Sequence, residues 1–104
     1  MTVLQFPGVL DVAAIPIPAE EDEDEVMVVI QPKVGEVIQP VALIEFLIPR
    51  MAHFMVPRYV RFVKELPKTP TNKVQKKILR DDGLTLDTWD REDAGIVLKR
   101  IRLD

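Results

Sequence analysis

Proline bounds or interrupts nearly every apolar run of this chain, and its spacing keeps each expected element short. Proline has a fixed φ and no backbone N–H, so it is unfavourable inside helices and in central strands. Val41–Ile48 is therefore expected to form a helix that begins near Pro40 and ends before Pro49. Apolar residues occupy nearly every position of this run, which predicts burial on more than one side.

Three other runs have the composition of β-strands. Val9–Pro18 is rich in β-branched residues, and Pro16 and Pro18 indicate that its later part lies at the edge of a sheet. Val26–Ile30 is a continuous apolar run that is too short for a helix and suits a buried strand. Tyr59–Val63 alternates between an apolar face and a wetter one.

Two further helical segments are expected. Met1–Phe6 has the character of a last helical turn, stopped by Pro7 and Gly8. Val74–Arg80 has helical spacing, with Ile78 and Leu79 facing inward and the lysines outward. Gly83 can then end this second helix.

These elements predict a single α+β domain, a small sheet with two or three helices packed on it. A chain of 104 residues is long enough for one compact domain. We expect its core over residues 5–83 and a tail over residues 84–104. Trp89 should hold the tail to the domain or to a partner, and Ile96–Leu98 is a short β-like run.

Charge and composition narrow the function classes. A net charge of −3 argues against a general nucleic-acid binder. Glu20–Glu25 is an unbroken acidic run that is expected to be a solvated loop. With no cysteine, the chain has no disulfide or thiolate metal site, and no apolar run is long enough to cross a bilayer. We therefore expect a cytoplasmic protein that binds no metal through this chain. A later cluster of basic residues predicts a surface that can bind anions: Lys64, Lys68, Lys73, Lys76, Lys77 and Arg80.

The segment Leu66–Val74 is the strongest candidate for a functional site. Its two prolines lower the entropy cost of holding the following side chain in one place. Asn72 tolerates a left-handed backbone, so a sharp turn just before Lys73 is expected. Lys73 would then project from the start of a helix, whose dipole favours phosphate or carboxylate oxygens. The same residues also suit an ordinary surface lysine between a loop and a helix.

Five landmarks, in a fixed order, give the chain a resemblance to the C-terminal domain of the AMP-dependent synthetase and ligase family. Asn72 departs from the glycine that is usual in that family. The tail segments Gly83–Thr85 and Thr88–Glu92 resemble the branch that contains crotonobetaine/carnitine-CoA ligases. The landmarks are Pro7-Gly8-Val9, Asp24-Glu25-Val26, Val56-Pro57-Arg58, Leu66-Pro67-Lys68-Thr69-Pro70 and Thr71-Asn72-Lys73.

The resemblance implies a mobile lid domain whose Lys73 completes an adenylation site. In that family a large N-terminal domain, expected outside this chain, binds ATP, Mg²⁺ and a small carboxylic acid. The lid then rotates so that the thiol of coenzyme A can attack the acyl-adenylate. Lys76, Lys77 and Arg58 could neutralise phosphates of coenzyme A or of the nucleotide, although they suit solubilising surface charge equally well. The 104 residues alone should not catalyse.

Two other functions remain open from the sequence. One is a free-standing binding module without chemistry, and the other is the lid of a different adenylate-forming enzyme, such as a peptide-synthetase adenylation domain or an aryl ligase. We also expect an exposed apolar patch from Val3, Leu4 and Phe6. Copies of the chain could pair through this patch or through the strand edge near Pro16.

Overall fold

The computed structural model describes residues 2–18 and 24–96, which form one four-stranded mixed sheet with a helix on each face. The strands lie in the order β1-β2-β3-β4, and only β2 and β3 are parallel. This architecture confirms the expected α+β class. The strands are β1 Val9–Ile17, β2 Glu25–Pro32, β3 Tyr59–Phe62 and β4 Trp89–Asp90, and the helices are α1 Pro40–Leu47 and α2 Lys76–Asp82.

β1 lies at an edge of the sheet, as its two late prolines predict. The register of its pairing with β2 shifts between Val9 and Asp11, so Leu10 is an extra residue that forms a β-bulge. Because of this bulge, Val9 packs on the face that carries α1, whereas Asp11 belongs with Ala13 on the opposite face. Residues 20–23 of the acidic run lie outside the described residues.

The α1 face and the α2 face each have their own apolar cluster. On the α1 face, Leu43, Ile44 and Leu47 of α1 are fully buried against the sheet. Val41 and Glu45 are exposed, so the prediction of burial on more than one side was wrong. Three buried residues at positions i, i+1 and i+4 are enough to cover one face of this small sheet.

The side of β3 that was expected to be wetter faces α2. Tyr59 is 9% exposed there and packs in the same cluster as Leu66 and Leu79. The second helix begins at Lys76, two residues later than predicted, because the backbone of Gln75 is not helical, with φ of −85° and ψ of 79°. The Gln75 N–H donates to the carbonyl of Pro67 at 2.8 Å. This contact holds residues 67–75, just before α2, in a hairpin.

The two residues of α2 that were expected to face inward differ in burial. Leu79 is 2% exposed, but Ile78 is 44% exposed, so its inward orientation was wrong. With only two turns, α2 presents one narrow buried stripe to the sheet. Gly83 ends the helix as predicted, with φ of 58° and its N–H donating to the carbonyls of Leu79 and Arg80.

The N-terminal segment is a single 3-10 turn, Thr2–Gln5, rather than the end of an α-helix. Val3 is 1% exposed and belongs to the α1-face cluster, and Phe6 packs edge-on against Phe46 with ring centroids 5.3 Å apart. The prediction of an exposed apolar patch was therefore wrong, since of its three residues only Leu4 is exposed.

The tail is joined to the sheet through β4. Trp89 pairs with Val60 along the backbone and packs against the α1-face cluster, which confirms that it holds the tail to the domain. Of the β-like run, Ile96 is in irregular structure and residues 97–98 lie outside the described residues. No helix within the described ranges has the length and apolar character needed to cross a membrane.

Candidate functional site

Lys73 follows the loop of a tight hairpin that stands beside the sheet. Lys68 and Val74 form an isolated antiparallel bridge, and the Thr69 N–H donates to the carbonyl of Lys73 at 2.8 Å. The pairing of Thr69 with Lys73 encloses a loop of three residues, within which the Asn72 N–H donates to the carbonyl of Thr69 at 2.9 Å. Such loops combine a turn with one left-handed residue. Asn72, at φ of 68°, is that residue and confirms the expected sharp turn.

Local chemistry explains why this sequence forms the hairpin. Pro70 occupies the first central position of the turn, where a fixed φ is favourable. The Thr69 hydroxyl oxygen accepts the backbone N–H of Lys73 at 3.1 Å and lies 3.0 Å from the hydroxyl oxygen of Thr71. These bonds fix the backbone of Lys73, while its side chain is left exposed.

Lys73 does not lie at a helix N-terminus. α2 begins three residues later, at Lys76, so the expected contribution of the helix dipole to anion binding at Lys73 was wrong. Among the described residues, no carboxylate approaches the Lys73 ammonium within 4.0 Å. The hairpin therefore presents one positive charge to solvent from an ordered backbone.

Two side-chain contacts connect the base of this hairpin to the sheet. Lys68 Nζ lies 2.9 Å from Asp11 Oδ2, and the Leu66 N–H donates to Gln31 Oε1 at 3.1 Å. The hydrogen bond from Lys68 lowers the pKa of the Asp11 carboxyl, an effect that partial burial opposes and the Val12 N–H reinforces. Asp11 and Gln31 lie directly opposite each other on β1 and β2, so both contacts come from one cross-strand pair of residues.

Sequence reasoning missed Asp11 and Gln31. The available signal was a single carboxylate within the otherwise uncharged strand Val9–Ile17. Asp11 is in phase with Ala13 and Ile15 on the α2 face, but strict alternation would have placed Val9 there as well, and the bulge at Leu10 that prevents this is not evident from the sequence.

Lys76 and Lys77 lie at the start of α2 and are exposed. The bond between Gln75 and Pro67 brings this helix start next to the base of the hairpin. Two of the expected phosphate-binding cations therefore share the side of the domain that carries Lys73.

Arg58 is placed at the other end of the strands. Its side chain contacts Asp90 at 3.1 Å, Glu92 at 3.4 Å and Glu25 at 3.9 Å, and the bond to Asp90 raises the pKa of the guanidinium. Gln31, at the base of the hairpin, is six residue steps along β2 from Glu25, which is about 20 Å of strand. The structure thus does not bring Arg58 together with the hairpin.

The described part of the chain brings no three histidine, aspartate or glutamate side chains into a group that could hold a metal ion. The Mg²⁺ that the resemblance implies is therefore not assigned to these residues. What the geometry offers chemically is a positioned cation, which can stabilise negative charge on an approaching group.

Residues 2–73 match the family described as AMP-binding enzyme C-terminal domain. The chain is 34% identical, over 87 residues, to 4-coumarate--CoA ligase-like 1 of Arabidopsis thaliana, covering 82% of this chain and 16% of that protein. Solved structures give the same fold. ATP-bound MatB from Rhodopseudomonas palustris has a TM-score of 0.72 and 30% identity, covering 77% of this chain and 16% of MatB.

A similar match is the anthranilate CoA ligase AuaEII in complex with anthranoyl-AMP, with a TM-score of 0.71, 29% identity, and coverage of 79% of this chain and 16% of AuaEII. The chain thus spans about one sixth of the length of these relatives. The matched segment runs from the N-terminal turn to the hairpin and ends at Lys73. This chain belongs to the AMP-binding enzyme C-terminal domain family.

Proposed function

We propose that this chain is the mobile C-terminal domain of an ATP-dependent acid–CoA ligase, and that Lys73 is its catalytic side chain. The observation that carries the proposal is an exposed lysine on an ordered hairpin, at the last residue of the family match. A large domain elsewhere in the polypeptide would bind the substrates. The ATP-bound and anthranoyl-AMP-bound structures of the relatives support this chemistry.

In the first half-reaction, a carboxylate oxygen attacks the α-phosphorus of ATP, and pyrophosphate leaves. Negative charge shifts over the carboxylate and phosphate oxygens as the bond to pyrophosphate breaks. The Lys73 ammonium, brought beside these oxygens, stabilises that charge without first having to order its backbone. One preorganised charge of this kind contributes about 10²–10³ in rate.

In the second half-reaction, the domain rotates so that the thiol of coenzyme A can attack the acyl-adenylate and release AMP. We assign contacts with the phosphates of coenzyme A or of the nucleotide to Lys76 and Lys77, which are exposed beside the hairpin. Arg58, the third expected cation, would reach a phosphate only after leaving Asp90 and Glu92, and so takes no part in this assignment.

The identity of the acid depends on the large domain. The resemblance of the tail to crotonobetaine/carnitine-CoA ligases suggests a small acid, but the relatives reported above give that branch no specific support. The cytoplasmic location, which was expected because the chain has no cysteine, stays a proposal. The isolated chain is expected to be inactive, because the reaction needs a second surface that binds ATP and the acid.

The test is Lys73→Ala in the ligase polypeptide that carries this chain. We expect ATP-dependent acyl-adenylate formation to fall by about 10²–10³, while thioester formation from supplied acyl-adenylate stays within about twofold of wild type. Lys33→Ala, at an exposed lysine in a turn before α1, is the matched control and should leave both half-reactions unchanged. Equal loss of both half-reactions in Lys73→Ala would refute the role of Lys73.

A free-standing binding module predicts a different native molecule. An immunoblot of source cells with an antibody against this domain separates the two functions. A band several times heavier than 11.9 kDa supports the ligase, whereas a band at 11.9 kDa means that the domain acts alone on a separate partner. If the heavy polypeptide forms acyl-adenylate but no thioester, it belongs to another adenylate-forming class.

A further inference from the structure

We propose that Asp11 is a positioning residue for Lys73, acting through its ion pair with Lys68. The inference rests on the proposed function for its catalytic consequence, but the structural part concerns the hairpin alone. Asp11 lies in the first strand, more than fifty residues before the hairpin in sequence. Its carboxylate sets where the base of the hairpin stands relative to the sheet.

The internal bonds of the hairpin fix its shape but not its position. They join Thr69 to Asn72 and to Lys73, and Gln75 to Pro67, so all of them lie within the hairpin itself. The hairpin has only one bridge of its own, between Lys68 and Val74, and it does not extend any strand of the sheet. Its position must therefore come from contacts at its base.

The polar contacts between this base and the sheet come from one cross-strand pair. Asp11 holds the side chain of Lys68, and Gln31 accepts the backbone N–H of Leu66, two residues earlier. Leu66 itself is 1% exposed in the α2-face cluster. Leu66 thus anchors the start of the segment, and the ion pair anchors the strand that leads directly into the turn.

Because of the bulge at Leu10, Val9 and Asp11 lie on opposite faces of the sheet. From Asp11 onward, alternate residues of β1 face α2, as Ala13 and Ile15 do in the buried cluster. Val9, two residues before Asp11, packs on the other face. A regular strand would place Val9 and Asp11 on the same face, so the extra residue lets Asp11 remain on the side of the hairpin while Val9 is buried on the α1 face.

The ion pair is partly exposed, with 28% of the Lys68 side chain and 31% of the Asp11 side chain accessible. Pairs of this kind contribute little to the stability of a fold. Loss of the pair should therefore leave the fold intact and act locally: the base of the hairpin is held less firmly, so the hairpin samples a wider range of positions and its own hydrogen bonds open more often.

The experiment compares Asp11→Asn with Asp82→Asn in this chain. Asp82→Asn removes a different ion pair, to Arg61 at 3.4 Å, and is the matched control. Amide hydrogen exchange followed by NMR should be about three- to fivefold faster in Asp11→Asn at the backbone N–H groups of Lys73 and Gln75. The amide of Val29 in central β2, and all three amides in the control, should keep wild-type rates.

Charge reversal tests whether the pair, rather than the Asp11 side chain alone, is responsible. Asp11→Lys combined with Lys68→Glu should restore exchange to within about twofold of wild type, since the opposite charges meet again. If Asp11→Asn does not fold, Lys68→Met removes the same pair and keeps most of the apolar stem. Wild-type exchange at Lys73 and Gln75 in either folded single variant, or no recovery in the charge reversal, would overturn the proposal.

The catalytic consequence is measured in the ligase polypeptide. Asp11→Asn should lower kcat of adenylate formation about three- to fivefold, with KM for ATP and the rate of thioester formation unchanged. Charge reversal should restore kcat. An effect on both half-reactions alike would mean a general structural role and overturn the positioning role. If Lys73→Ala proves fully active, the proposed function fails instead, and the exchange data still decide whether Asp11 orders the hairpin.

Discussion

Asn72 allows a direct measurement of what the left-handed turn before Lys73 contributes to stability. Its φ of 68° lies in a region that glycine enters freely, asparagine tolerates and alanine avoids. Its hydrogen bond in the hairpin comes from the backbone N–H, which every replacement except proline retains. Substitutions at this position therefore test backbone conformation, with little change in contacts.

We expect Asn72→Ala to destabilise the chain by about 1 kcal/mol, the cost of a Cβ in the left-handed region without a compensating polar side chain. For a domain of about this size, that free energy lowers Tm by about 4–8 °C. Asn72→Gly should stay within about 0.5 kcal/mol of wild type, because glycine adopts this φ without strain but gains freedom when unfolded.

Thermal unfolding followed by circular dichroism, at neutral pH, measures both effects. Lys73→Ala is the matched control, since it introduces alanine one residue later at an exposed side chain with an ordinary backbone. Its Tm should stay within about 2 °C of wild type. If Asn72→Ala melts with the control, the left-handed conformation at Asn72 does not carry the cost assigned to it.

Two further predictions concern packing and pH. Leu79→Ala should reduce the free energy of unfolding by about 2–5 kcal/mol in urea titrations, because Leu79 is buried, whereas exposed Ile78→Ala should cost less than about 1 kcal/mol; equal losses would contradict the observed face of α2. The Asp11 and Asp90 carboxyls both have a lowered pKa, and for Asp11 the chief cause is the hydrogen bond from Lys68. For Asp90, burial raises the pKa, but the interactions with Arg58 and with the N–H groups of Glu92 and Asp93 together lower it by more. The stability that the two carboxylates contribute to the fold is therefore complete above the unfolded pKa of about 4, and it is lost as pH falls through the folded pKa. We expect the Tm of wild type to drop more steeply below pH 4 than the Tm of the double variant Asp11→Asn, Asp90→Asn.

Features with a local cause were predictable from the sequence. Pro70 and Asn72, two residues apart, favour the turn before Lys73 through their own backbone conformations. Gly83 ends α2 in the same local way. The edge position of β1 follows from Pro16, which cannot donate to a central ladder. In each case, the backbone preference or freedom of one residue decides the local conformation, and tertiary contacts do not reverse it.

Features that depend on tertiary contacts were not predictable in the same way. The start of α2 was placed too early, because Val74 pairs with Lys68 in the hairpin and the backbone of Gln75 is not helical. Ile78 fits an apolar helical stripe, but the helix touches the sheet mainly through Leu79. The contact between Asp11 and Lys68 joins segments that no local pattern relates. These outcomes depend on which surfaces meet, and a single sequence carries no direct record of that.

The extra residue at Leu10 shifts the alternation of β1 by one position. Val9 therefore lies on the opposite face of the sheet from Asp11, so that the valine packs in one apolar cluster while the carboxylate contacts the hairpin on the other side. Deleting Leu10 would restore one phase and force either Val9 out of the core or Asp11 away from the hairpin. Variants that lengthen or shorten the chain between Pro7 and Asp11 by one residue should thus be tolerated far less well than substitutions at Leu10, whose side chain is about half exposed.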